Sequence, residues 1–248
     1  MIDLAYILLP LIALAAFVLK AATGFGPAIV VIALGSLLMA PQDVIATSSI
    51  LDMTAGALLL AMDRPKGRPG FWLPLSAAIV SGAVIGGLLI VTIPERWFDY
   101  IFAVAILVLG LWFILGRGKA ADNGGLVDEL PPRCSAADAS MTFFGGFCGG
   151  LFGISGPPIL WQFGRKFAKH AFRQTLVPIF FAAALARTVT YGCTGLVTTQ
   201  VLLYVLAALP GLFLGIYLGN KVFFKLSEVW FNRVAGLVLI VVAVQLAF

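Results

Sequence analysis

One histidine, three cysteines and eleven carboxylates among 248 residues leave few groups for chemistry. The lone His170 sits in the basic run GRKFAKHAFR and reads as a solvated loop residue, so no metal site or histidine-assisted nucleophile can be assembled around it. Cys134, Cys148 and Cys193 are odd in number and unevenly spaced, which fits neither a disulfide framework nor a zinc site. They read as ordinary packing residues. No glycine-rich phosphate loop ending in Gly-Lys-Ser/Thr is present, which argues against nucleotide-driven pumping. With no clustered nucleophile and base, an intramembrane enzyme is disfavoured, and no cofactor is expected.

Charge is scarce as well: only 11% of residues are charged, 61% are hydrophobic, and the mean hydropathy is +1.07. That much apolar surface exceeds what one soluble core can hide, so the chain is expected to be an all-α polytopic membrane protein. The first run, MIDLAYILLP, has no basic residue before it and no small-residue cleavage site after it. It reads as the first membrane helix rather than a cleaved leader. A net charge of +5 would suggest nucleic acid in a soluble protein. Here the basic residues lie in short loops between apolar runs, where they set orientation, so the partners expected are the lipid bilayer and a small solute. A homodimer is compatible with this composition.

Apolar runs and their breaks predict ten segments, at about 3–20, 26–39, 43–62, 71–92, 97–116, 136–151, 157–167, 171–192, 199–220 and 228–248. The one long polar stretch divides the chain into a first transmembrane repeat (1–116), a cytoplasmic linker (117–135) and a second repeat (136–248). The halves match at a shift of about 130 residues: GPAIV at Gly26 with GPPIL at Gly156, SGAVIGG at Ser81 with PGLFLGI at Pro210, and ERWFD at Glu95 with EVWFN at Glu228. Loop charge relates the copies. DRPKGRPG (63–70) holds three basic residues and its counterpart 193–198 none, whereas 164–173 holds four and its counterpart APQD none. If basic loops face the cytoplasm, twelve of the sixteen basic residues fall inside and both termini lie outside. Five segments per half then invert the second copy, a recurring plan of secondary transporters.

The second segment of each half is too short to cross a hydrocarbon core of roughly 30 Å. Broken or re-entrant helices are therefore expected to meet near the bilayer midplane, where irregular backbone survives only if it is buried in protein or lines a cavity. Pro27 and Pro157 suit a first helical turn, because the missing N–H would be unpaired there anyway. A helix start offers free N–H groups and partial positive charge, which favours an anion. Gly24, Gly26, Gly153 and Gly156 would let backbone approach that ligand, and the hydroxyls of Thr23 and Ser155 would donate to it. The plainer alternative is a pair of packing kinks.

Three costly residues lie in the apolar segments: Lys20, Asp52 and Arg187. In the functional reading Lys20 and Arg187 add positive charge to an anion site, while Asp52 balances charge or carries a proton. The alternatives are that Lys20 snorkels to the cytoplasmic surface and that Asp52 and Arg187 form a structural pair. The glycine rows 82/86, 145/149/153 and 211/215/219 are expected to serve close helix packing.

The two breaks, KAATGFGPAIV and GGLFGISGPPIL, together with the polar central linker, resemble the sulfite exporter TauE/SafE family over essentially the whole chain. Pro157 and Pro158 stand where glycine is frequent in such proteins. The resemblance implies a secondary transporter of the prokaryotic inner membrane that moves small anions, often sulfur oxyanions such as sulfite or sulfonates such as sulfoacetate. A channel-like path or a scaffold without transport remains the alternative.

Overall fold

The structure is a computed structural model that describes residues 4–23, 27–62, 69–115, 131, 133–163, 167 and 169–222. The tenth predicted segment, nearly all of loop 63–70 and most of linker 117–135 lie outside them. The described residues form nine helices: α1 (Leu4–Thr23), α2 (Pro27–Gly35), α3 (Pro41–Met62), α4 (Pro69–Ile90), α5 (Glu95–Leu115), α6 (Ala136–Phe152), α7 (Gly156–Phe163), α8 (Lys169–Cys193) and α9 (Thr199–Val222).

Helix starts follow from local chemistry. Pro27, Pro41 and Pro69 each open a helix, where a residue without an N–H loses nothing. Ser135 caps α6: its hydroxyl accepts from the Asp138 N–H at 3.1 Å, and the Asp138 carboxylate accepts from the Ser135 N–H at 3.1 Å. The same carboxylate accepts from Gln162 of α7 at 2.7 Å, which ties the far end of α7 to the start of α6. Ser135→Ala is expected to destabilise the protein by about 1 kcal/mol, with most of the loss recovered in Ser135→Asn. Melting temperatures in detergent measure both. The sequence places residues 164–173 in a loop, but α8 begins at Lys169, so Lys169 to Arg173 form its first turn.

Five of the described helices are long and apolar enough to cross a membrane, among them α3, α8 and α9. α2 and α7, of 9 and 8 residues, are not. Large apolar side chains such as Leu11, Val104, Leu206 and Leu214 are exposed on the outside of the bundle, while Phe17, Phe71, Phe102, Phe163 and Tyr191 fill its interior. In lipid no water-driven force holds helices together, so close backbone contact must do so.

Glycine makes that contact possible in two helix pairs. Gly211, Gly215 and Gly219 of α9 lie directly against the carbonyls of Pro10, Leu14 and Val18 of α1. Both series ascend together, so α1 and α9 run parallel. Likewise Gly146 and Gly150 of α6 sit on the carbonyls of Ile79 and Ala83 of α4, while Gly82 and Gly86 of α4 sit on those of Phe143 and Phe147, so α4 and α6 are also parallel. The row 145/149/153 does not make this interface. Gly145 faces Ile159 and Ser155, and Gly149 faces Ser155, because a helix row displaced by one residue turns about 100° away from its neighbour. α3 and α8 form the central seam and run antiparallel: Ser49 meets Thr188, Asp52 meets Arg187, and Gly56 meets Phe181.

Candidate functional site

Asp52 stands halfway along α3, and its carboxylate bridges two cations from distant parts of the chain. Oδ1 accepts from Lys20 Nζ at 2.8 Å and Oδ2 from Arg187 Nη2 at 3.1 Å. Lys20 does not snorkel to a surface. A helical side chain leans back toward the N-terminus of its own helix, so a lysine in the last turn of α1 reaches inward. Its ammonium also donates to the Asp52 carbonyl at 3.1 Å and lies 5.9 Å from the centre of the Phe17 ring. Lys20 and Arg187 are each 3% exposed and Asp52 is 7% exposed, so the group is withdrawn from bulk water.

The second break explains how Arg187 is held. α6 ends on Gly153, whose φ of 78° is left-handed and favours glycine. That turn directs carbonyls at the arginine: Nη1 donates to Gly153 O at 2.7 Å and to Gly149 O at 3.3 Å. A cation at a helix C-terminus is favourable there, because the last carbonyls carry partial negative charge. Gly153 contributes an acceptor rather than a donor, since its own N–H is used by Gly149 O at 2.9 Å.

Beyond Gly153 the chain crosses Ile154 and Ser155 before α7 begins at Gly156. Ser155 is 5% exposed and its hydroxyl has no partner among the described residues, nor does Arg187 Nε. Ser155 and Arg187 are among the residues that line one cavity of about 30 Å³, together with Lys20, Asp52, the start of α2 at Pro27 and the second break. Buried donors without acceptors cost about 1–3 kcal/mol each, so such a site is suited to a ligand that accepts hydrogen bonds. Two cations face one carboxylate, and the N-terminal ends of α2 and α7 add partial positive charge.

The structure brings together Lys20, Asp52, Pro27, Gly153, Ser155, Gly156 and Arg187 at this cavity. Pro157 is buried in the first turn of α7, one residue from the lining. Gly24 and Gly26 lie outside the described residues, as does the side chain of Thr23, the last residue of α1. Sequence reasoning missed Gly149, which touches both Ser155 and Arg187 and leaves no room for a side chain. It also missed Tyr191, whose hydroxyl donates to Gly150 O at 2.6 Å. The four-residue spacing from Arg187 was the available signal, because it puts both side chains on one face of α8.

Spanning helices around a buried cationic cavity at a helix break define the class: a multi-pass α-helical membrane protein of the transporter kind. The chain belongs to the sulfite exporter TauE/SafE family, whose model matches residues 9–246. A relative from Cupriavidus necator, named "Probable sulfite/organosulfonate exporter TauE", is 29% identical over 256 residues, covering 98% of this chain and 95% of its own. Family and relative are exporters rather than enzymes. No solved structure matches the chain.

Proposed function

We propose that the protein is a secondary transporter that moves a small sulfur oxyanion or organosulfonate across a prokaryotic inner membrane through the cavity at Asp52. The observation that carries this reading is the pair of buried donors without a partner among the described residues, Ser155 Oγ and Arg187 Nε, on residues that line a cavity where cations outnumber the carboxylate two to one. A bound anion would accept from these donors and from Lys20, with Asp52 balancing charge or carrying a proton. The name of the Cupriavidus relative supplies the substrate class and the outward direction.

Alternating access requires two halves that exchange roles, and the packing supports an inverted repeat. α2, α3 and α4 begin at residues 27, 41 and 69, and α7, α8 and α9 begin at 156, 169 and 199, in keeping with the shift of about 130. Exchanging the halves turns the α1–α9 pair into the α6–α4 pair, and both are parallel glycine-lined contacts. The equivalent helices α3 and α8 lie antiparallel, as inversion demands. One bundle then rocks against the other around the paired breaks, with both termini on the outer side.

Purified protein in liposomes is expected to take up sulfite and sulfoacetate in preference to a matched carboxylate, and a proton gradient is expected to change the rate. Indifference to all three anions would refute the reading. Lys20→Ala and Arg187→Ala are each expected to raise the anion's apparent KM at least about tenfold, the scale of one lost charge-assisted hydrogen bond. Folded yield should remain measurable in both, since each leaves Asp52 with one cationic partner.

A further inference from the structure

A buried hydroxyl on α3 has no role at the cavity. Ser48 is 2% exposed and its Oγ has no partner among the described residues. Helical serines and threonines ordinarily satisfy themselves by donating to a carbonyl three or four residues back. In this protein Ser49, Thr54, Ser81, Ser140, Thr142 and Thr190 all do so, at 2.8 to 2.9 Å apart from a shorter 2.6 Å bond from Thr142. Ser48 therefore forgoes the local bond that its neighbours make, at a cost of about 1–3 kcal/mol unless something else accepts from it.

Position says what that something is. Ile45, Ser48, Ser49 and Asp52 follow the spacing of one helix face. The Ile45 side chain lies beside Gly153 of the second break, Ser49 Oγ accepts from Thr188 Oγ1 of α8 at 3.3 Å, and Asp52 lies in the cavity. Ser48 stands between these points, one turn from Asp52 toward the Pro41 end of α3. Thr47, which also lacks a partner among the described residues, is about 100° round the helix and off this face, and Ser76 lies on α4. Apolar residues would be the stable filling here if no polar species had to pass.

We infer that Ser48, with Ser49 and Thr188 beside it, forms an outer station on the anion's path, where a hydrated oxyanion accepts from the Ser48 hydroxyl before or after it reaches Lys20 and Arg187. This inference rests on the transport reading and on the topology that puts the Pro41 end of α3 outside. It adds a route: the cavity exchanges with the outer side along the seam between α3 and α8.

Cysteine accessibility tests it. In the full chain carrying Cys134→Ser, Cys148→Ala and Cys193→Ser, Ser48→Cys is expected to react with a membrane-impermeant, negatively charged thiosulfonate reagent added to the outside of right-side-out vesicles. Sulfoacetate at about ten times its Kd should slow that reaction about tenfold, by occupancy. Ala46→Cys, on the opposite face of α3 and fully buried, should not react, while the same chain retaining the exposed Cys193 is the positive control. Thr188→Cys gives an independent answer should Ser48→Cys fail to fold. Absence of labelling from outside at both positions, or labelling that sulfoacetate does not slow, would overturn the station. If wild-type liposomes move no anion while Ser48→Cys is labelled and protected, the transport reading falls and the anion station stands. If they transport but neither cysteine is labelled, the station falls and transport stands.

Discussion

Asp52→Ala is expected to be the most damaging single change among the three charged residues of the cavity, destabilising the fold by about 3–5 kcal/mol, the scale for stripping the partner from a buried ion. The carboxylate is the common acceptor of Lys20 and Arg187, so its removal leaves two cations facing each other with no anion between them. Removing either cation instead leaves a one-to-one pair. The expected order of melting temperature in detergent is therefore wild type, then Lys20→Ala and Arg187→Ala, with Asp52→Ala lowest. A small oxyanion added to Asp52→Ala should fill the vacated position and restore stability by mass action, by about 2.7 kcal/mol at a hundred times its Kd. If Asp52→Ala is as stable as Lys20→Ala, the carboxylate does not hold the site together. Such a rescue would show that Lys20 and Arg187 together accept an added anion once the carboxylate is removed.

Gly146→Leu is expected to cost more than about 3 kcal/mol and to abolish folded yield. A Cβ at that position would meet the Ile79 carbonyl of α4, and backbone cannot turn aside as a side chain can. Gly211→Leu should act alike, since its Cβ would meet the Pro10 carbonyl of α1 in the equivalent pair. Gly192 is the contrast: nothing lies within 4 Å of a Cβ there, so Gly192→Ala should stay within about 0.5 kcal/mol of wild type. Size-exclusion profiles and melting temperatures read the difference, and a well-folded Gly146→Leu protein would show that the α4–α6 contact is not close-packed.

Much of this was legible in the amino-acid sequence. Membrane residence follows from composition, because apolar surface on this scale has no other stable solvent. The helix starts at Pro27 and Gly156 follow from proline and glycine chemistry alone, which is local. The cost of Lys20, Asp52 and Arg187 in lipid marks them without any structure. An Asp52–Arg187 pair was legible only as one alternative, and Lys20 on the same carboxylate was not: 135 residues separate Asp52 from Arg187, and nothing local decides whether a buried cation finds a carboxylate, a carbonyl or a surface. The row 145/149/153 was expected to pack helices closely, and Gly145 does so against Ile159 of α7, but that its Gly149 faces Ser155 and Arg187 was not legible, for a related reason. Rows 145/149/153 and 146/150 differ by one residue, and only the neighbouring helices decide which becomes the contact and which the wall of the site. Ser48 is the same case in one hydroxyl, unremarkable in SSILD until tertiary packing is seen to leave it without a partner among the described residues. Solvent, helix ends and the price of buried charge are properties of short stretches, so the sequence determines them. Which charge meets which, and which face of a helix turns toward the cavity, depends on contacts between distant residues, and only the tertiary structure decides those.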